Sequence, residues 1–171
     1  SFANNELDDK INTILESKSI ENTEKFNKIM TIVENSTALT ELEQSQYYHD
    51  ISKLFYGKYK DLQLAIKSVK KAVIIRRKYK DTNPDLLKKS LFNLGVFYNK
   101  SGAINAWYKT YKELLTTGTE DRRHAKVYVA FGKFYRKTGD FAKALENLEK
   151  AQRYFVANND RRELFLTHLS F

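Results

Sequence analysis

A nine-residue string occurs twice in this chain with the same spacing of glycine and aromatic residues. Residues 94–102 read LGVFYNKSG and residues 131–139 read FGKFYRKTG, so the two strings begin 37 residues apart. In a helix, the first glycine lets a neighbouring backbone approach closely, and the aromatic residues fill the space beside it. The last glycine suits a helix end with a positive φ. The recurrence therefore predicts repeated helix pairs that pack side by side.

Apolar residues recur at helical spacing along nearly the whole chain. The stripe Leu62, Ala65, Ile66, Val69, Ala72 and Val73 is typical. The chain has one proline and six glycines among 171 residues, which disfavours a β-fold rich in tight turns. We therefore predict an all-α protein of about nine helices joined by short polar turns.

The predicted helix boundaries carry residues suited to helix ends. Thr40 followed by Glu43 fits a capping box, in which each side chain binds a free amide at a helix start. Pro84 fits the first position of a helix, where its missing N–H is not needed. Gly102 and Gly139 fit left-handed helix ends, and Asp140 can cap the helix that follows.

This pattern resembles the tetratricopeptide repeat, a helix–turn–helix unit of about 34 residues. The best copy spans roughly 125–158. Its matching residues are Tyr128, Phe131, Gly132 and Tyr135 in the first helix, Gly139, Asp140 and Phe141 at the turn, and Ala144, Leu148 and Ala151 in the second helix. The resemblance implies an all-α, right-handed α-solenoid of stacked antiparallel helix pairs.

We predict a single helical-repeat domain over residues 1–171. Its expected parts are a degenerate N-terminal helix pair at 1–40, repeats at 45–80, 84–118 and 122–158, and a last segment at 161–171. That last segment is either the start of a further repeat or a cap helix. The native protein is expected to continue beyond it, because apolar residues remain near Phe171. Intervals of 37 and 42 residues between copies are similar to those of the long repeats in kinesin light chains.

The sequence offers little that an enzyme would use. Its three histidines, His49, His124 and His168, are far apart, and cysteine is absent, so neither a thiolate nor a histidine-rich metal site is expected. No phosphate-cradling glycine loop and no nucleophile elbow occurs. We expect no catalysis and no cofactor.

Charge is distributed unevenly along the chain. The net charge is +9, yet residues 1–50 carry four lysines and ten acidic residues, and residues 51–171 carry 26 basic and 11 acidic residues. This asymmetry favours an acidic partner, or self-association of the acidic end with the basic body. The alternative is a solvated lysine-rich surface. The longest apolar run has four residues, so we expect no membrane span. We expect a cytoplasmic location.

A nucleic-acid interface is the less favoured interpretation of the basic residues. The densest basic stretch is VKKAVIIRRKYK at 69–80, and four further arginines lie at 122, 123, 161 and 162. Binding a single strand also requires exposed aromatic rings on which bases stack. Most tyrosines and phenylalanines here fall on apolar stripes, so we expect them to be buried.

The resemblance implies a ligand-binding inner wall, formed by the first helix of each pair. The implied wall residues are His49 and Lys53 in the earliest repeat, Lys89, Phe92, Asn93, Val96 and Asn99 in the next, and Lys126, Val129, Lys133 and Arg136 in the last. Amides can bind a peptide backbone, lysine and arginine can bind carboxylates, and Phe92 and Val96 can accept an apolar side chain. The alternatives are solvated charges for the lysines and packing between helices for Phe92.

The leading functional hypothesis is a non-catalytic scaffold that binds a peptide or partner domain on its concave face. The alternative is a regulatory or sensor region of a larger signalling protein, joined to a caspase-like protease of the CHAT type or to a transcription module. The abundance of Lys, Asn, Tyr, Phe and Ile suits an AT-rich bacterial source of such proteins. A basic RNA- or DNA-binding repeat ranks third.

Overall fold

The structure is a computed structural model that describes residues 4–171. Over this range the chain forms nine α-helices and no β-strand, which confirms the predicted all-α class. The helices are α1 (Asn5–Glu16), α2 (Asn22–Asn35), α3 (Glu41–Gly57), α4 (Leu62–Lys78), α5 (Pro84–Ser101), α6 (Ile104–Leu115), α7 (Arg122–Thr138), α8 (Phe141–Ala157) and α9 (Arg161–His168).

The contacts divide the chain into two compact units, Ser1–Thr110 and Tyr111–Phe171. In the first unit, α1 packs on α2, α2 on α3, α3 on α4, and α4 on α5. In the second unit, α7 packs on α8, and α8 packs on α9. Successive helices therefore pack in adjacent pairs, as in a tetratricopeptide-like helical repeat.

The α7–α8 pair shows the antiparallel arrangement and the small residues that make it close. Gly132 on α7 faces Ala144 and Leu148 on α8, and Ala125 near the start of α7 shares a buried cluster with Ala151 on α8. Early residues of one helix thus meet late residues of the other. All five residues are buried. The predicted role of the small side chains is confirmed at this pair.

The helix ends follow the predicted chemistry. Gly102 and Gly139 have φ values of 80° and 88°, and each amide binds a carbonyl of the preceding helix. Asp140 accepts a hydrogen bond from the Lys143 amide, so the same two-residue turn ends α7 and caps α8. Thr40 accepts from the Glu43 amide at 3.1 Å, as a residue that caps α3 should.

The helix bounds fall close to the predicted repeat bounds. The α5–α6 and α7–α8 pairs lie within 84–118 and 122–158, whereas α3 begins at Glu41, before the predicted start at Ser45. The two N-terminal helices lie within the predicted 1–40 segment, of which residues 1–3 are outside the described residues. The single-domain division stays a prediction. No helix between residues 4 and 171 combines the length and apolar character that crossing a membrane requires.

Candidate functional site

The first helices α3 and α5 lie side by side with a constant register. His49 Nδ1 on α3 lies 3.0 Å from Ser90 Oγ on α5, and the rings of Tyr56 and Phe97 have centroids 4.8 Å apart. Both pairs are separated by 41 residues in sequence, so the two helices run in the same direction. This arrangement places their outward residues on one surface of the first unit.

The predicted ligand residues of α5 form its outward ridge. Lys89 and Asn99 are exposed, while Phe92, Asn93 and Val96 are half-buried. The intervening residues of this helix, such as Leu91, Leu94 and Phe97, face the interior. The ridge therefore carries a cation, two amides and two apolar side chains along one helical stripe. Phe92 also contacts other groups of the protein.

The two predicted residues of α3 differ in their placement. Lys53 is exposed. His49 is only 7% exposed, and its ring belongs to the contact between α3 and α5 through Ser90. Its position on the helix turns the ring toward the neighbouring helix rather than outward. We therefore omit His49 from the surface proposed below.

A buried arginine lies behind this surface. The Arg76 guanidinium on α4 has 0% exposure and donates to Ser45 Oγ, Ser90 Oγ, Gln46 Oε1 and the Leu86 carbonyl at 2.8–3.0 Å. All four acceptors are uncharged. Burial lowers the pKa of Arg76 to about 10, and the nearby carboxylate of Asp50 acts in the opposite direction. The side chain therefore joins α3, α4 and α5 through hydrogen bonds.

The α7 residues predicted to bind a ligand also differ in exposure. Lys133 and Arg136 are exposed, and Lys126 and Val129 are half-buried. Val129 packs against the buried cluster of α7 and α8. Arg136 Nη1 donates to the Ser170 carbonyl at 3.0 Å, so this arginine holds the C-terminal segment.

A cavity that the sequence did not reveal lies between α1 and α3. Its volume is about 380 Å³. The lining is Ile11, Asn12, Leu15 and Glu16 from α1, and Asp50, Ile51, Leu54 and Lys58 from α3. The apolar residues occupy its floor, and the polar residues are at least partly exposed. The sequence signal for this cavity was the spacing of apolar residues by three or four positions on both helices. The same spacing is equally typical of two helices that pack together without a cavity.

Residues 125–154 match the tetratricopeptide repeat family. The matched segment contains the contact of Gly132 with Ala144 and Leu148, in the helix pairing that the family pattern implies. Residues 125–154 form a tetratricopeptide repeat, within a chain whose helical pairs have a tetratricopeptide-like arrangement. Such repeats generally mediate interactions between proteins. None of the curated proteins compared with the chain matches it.

The basic stretch at 69–80 is partly neutralised by acidic residues of the same chain. Lys71 Nζ lies 2.6 Å from a Glu34 oxygen, and Lys78 Nζ lies 2.9 Å from a Glu41 oxygen. The hydrogen bond from Lys78 lowers the pKa of Glu41, with a further contribution from Tyr79. These pairs make the 69–80 stretch a weaker phosphate-binding track than its lysine and arginine count indicates.

The histidines of the protein have structural contacts. His124 Nδ1 lies 3.0 Å from the Asp121 carboxylate at the start of α7, and His168 Nε2 lies 3.1 Å from the Gln152 amide. Within residues 4–171, no group of three or more histidine, cysteine or acidic side chains is arranged to hold a metal ion.

A second cavity, of about 450 Å³, lies beside α7 and α8 in the second unit. Its lining includes Tyr128, Tyr154, Lys150 and Arg153. The Lys150 ammonium lies 5.6 Å from the centre of the Tyr128 ring and pairs with the Glu146 carboxylate at 2.9 Å. The Lys150 ammonium group therefore already interacts with Tyr128 on α7 and Glu146 on α8.

Proposed function

We propose that the protein is a non-catalytic interaction scaffold that binds a peptide or partner domain on the outward face of its first helices. The tetratricopeptide pattern implies that this face is concave. The observation that supports the proposal is the α5 ridge, on which Lys89, Asn93 and Asn99 accompany Phe92 and Val96. Recognition of an extended peptide needs amide partners for its backbone and apolar contacts for its side chains.

Each ridge residue has a chemical role in this proposal. The side-chain amides of Asn93 and Asn99 each offer a donor and an acceptor, which match a peptide C=O and N–H. Lys89, together with Lys53 on α3, provides positive charge for an acidic side chain. The half-buried ring of Phe92 and the methyl groups of Val96 provide apolar contact for a side chain of the ligand. The favoured ligand is therefore an acidic peptide segment that also carries an apolar residue.

The second unit adds a surface of the same charge. Lys133 on α7 is exposed. Lys126 lies on the same helix, and its charge contributes to lowering the pKa of Asp160. We treat this surface as a separate contact for an acidic partner. Because Arg136 also donates to the Ser170 carbonyl, its replacement would remove a contact to the C-terminal segment as well as a surface charge. Lys133 is the cleaner residue for a binding test.

The test is capture of partners by the full chain, compared between variants. The wild type, Asn93→Ala and Lys133→Ala are immobilised at equal density, and bound proteins are identified by mass spectrometry. The proposal predicts partners that the wild type retains and at least one of these variants loses, with unchanged thermal midpoints. Identical capture by all three proteins, with the same partners and yields, would overturn the assignment of these surfaces.

A further inference from the structure

We propose that the cavity between α1 and α3 is a subsite for a peptide segment in which an apolar side chain stands next to an arginine or lysine. This inference rests on the proposed function, because it treats peptide binding as the protein's role. It adds a second subsite whose charge preference is opposite to that of the α5 ridge.

The cavity has an apolar floor and two walls that are held in place. Ile11 and Ile51 are 4% and 3% exposed, and Leu15 and Leu54 are half-buried beside them. At one end, Tyr47 on α3 donates to the Asp8 carboxylate on α1 at 2.6 Å. At the other end, Lys25 of α2 donates to the Leu15 carbonyl at 2.9 Å.

These contacts tie both ends of α1 to the rest of the first unit. The space between the two helices is therefore a feature of the folded state. A cavity of about 380 Å³ falls in the range of pockets that accept a large apolar group. An aliphatic or aromatic side chain placed there would lose contact with water on the apolar floor.

Asp50 provides an oriented carboxylate at the rim of the cavity. The Gln46 amide group donates to both Asp50 oxygens at 3.1 Å, and the Gln46 carbonyl accepts from Arg76 Nη2 at 2.9 Å. Arg76 is itself fixed by its other hydrogen bonds. A chain of hydrogen bonds thus runs from the interior to the rim and fixes the direction of the carboxylate.

Glu16 adds a second carboxylate to the lining from α1, and Lys58 is the cation among the lining residues. The buried Arg76 and Lys25 lie nearby, bonded to the Gln46 carbonyl and the Leu15 carbonyl. The cavity lining therefore combines an apolar floor with two carboxylates and one ammonium group. A guanidinium or ammonium group beside an apolar side chain complements both features.

Three matched probes test this chemistry without knowledge of the natural partner. They are the N-acetyl amides of phenylalanyl-arginine, phenylalanyl-glutamine and phenylalanyl-glutamate. Binding is measured by titration of the methyl NMR signals of Ile11, Leu15, Ile51 and Leu54. We expect the arginine probe to shift these signals at millimolar concentration and to bind about three- to fivefold more tightly than the glutamine probe. The glutamate probe should bind most weakly.

Variants assign the preference to the rim. In Asp50→Asn, the arginine and glutamine probes should bind with equal affinity, and added salt should reduce the difference in the wild type. Asp9→Asn is the matched control, because Asp9 is an exposed acidic residue of α1 outside the cavity lining, and it should retain the difference. Asn12→Trp should fill the cavity mouth and abolish binding of all three probes.

The inference is overturned if no probe shifts the four methyl signals, or if all three probes bind equally to the wild type. It is also overturned if Asp50→Asn leaves the arginine preference intact. Failure of these experiments is distinct from failure of the proposed function. The latter depends on partner capture through Asn93 and Lys133, which lie outside this cavity.

Discussion

The side chain of Leu148 on α8 occupies the space beside Gly132 on α7. A Cβ at position 132 would lie 2.5 Å from Cγ of Leu148 and 3.3 Å from the Ala144 carbonyl oxygen. Leu148 is 2% exposed and has little room to move. The close approach of the two helices therefore depends on the absence of a side chain at Gly132.

Gly132→Ala should destabilise the protein, because the added methyl group must displace Leu148 or separate the helices. Overpacking of this kind costs about 1–3 kcal/mol, which urea unfolding can measure. Gly57→Ala is the matched control, since a Cβ at Gly57, the last residue of α3, meets nothing within 4 Å. That change should raise the free energy of unfolding by about 0.5 kcal/mol. Equal effects of the two substitutions would contradict the close-packing account.

Arg76→Ala should destabilise the first unit by about 2–4 kcal/mol. The substitution leaves a cavity and removes the donor from four acceptors, of which Ser45 and Ser90 are buried. Lys70→Ala provides the control, because Lys70 is exposed on the same helix, and it should change stability by less than about 0.5 kcal/mol. Urea unfolding followed by circular dichroism separates these outcomes. A small effect at both positions would show that the network contributes little.

The hydrogen-exchange protection of α9 should depend on pH through the charge of Asp160. The hydrogen bond from Arg122 lowers the pKa of Asp160 below its usual 3.8, at a distance of 2.8 Å. Because the folded state holds the carboxylate charged, the stabilisation is complete above that value and is lost as the pH falls through the lowered pKa. Hydrogen-exchange protection of α9 should therefore drop at acidic pH.

Arg122→Gln should reduce that protection at neutral pH by about two- to fivefold and weaken its dependence on acid. Arg122 also donates to Glu163 at 2.9 Å, so the variant removes two contacts between α7 and α9. Arg161→Gln is the control, because Arg161 is exposed at the start of α9, next to Asp160. It should leave the protection factors unchanged. An acid-sensitive α9 in the Arg122 variant would show that another group controls it.

The helices and their ends could be predicted from the sequence because their signals are local. Gly102, Gly139 and Pro84 mark bounds through backbone properties that neighbouring residues hardly alter. Gly132 and Ala144 could be paired because the repeat fixes their separation. The partners of buried polar groups could not be predicted in this way. Arg76 meets Ser45 and Gln46 across 31 and 30 residues, and helical spacing alone gives no sign of that contact.

The exposure of the proposed wall residues could be predicted only in part for the same reason. The family resemblance named the wall residues, and of these Lys53, Lys89 and Asn99 are exposed. It does not show which residues at the edge of this wall meet a neighbouring helix. His49 lies at such an edge and contacts Ser90. The cavity beside Asp50 arises from the spacing of two helices and has no signature in either one.

The central claim is that the α5 ridge binds a partner through its side-chain amides, and isothermal titration with a captured partner segment tests it most directly. Asn93→Ala should weaken binding about tenfold, because a peptide group in the bound segment loses its hydrogen-bond partner. Asn105→Ala, an exposed asparagine on α6, should bind within about twofold of the wild type. Equal dissociation constants for the wild type and Asn93→Ala would contradict the account.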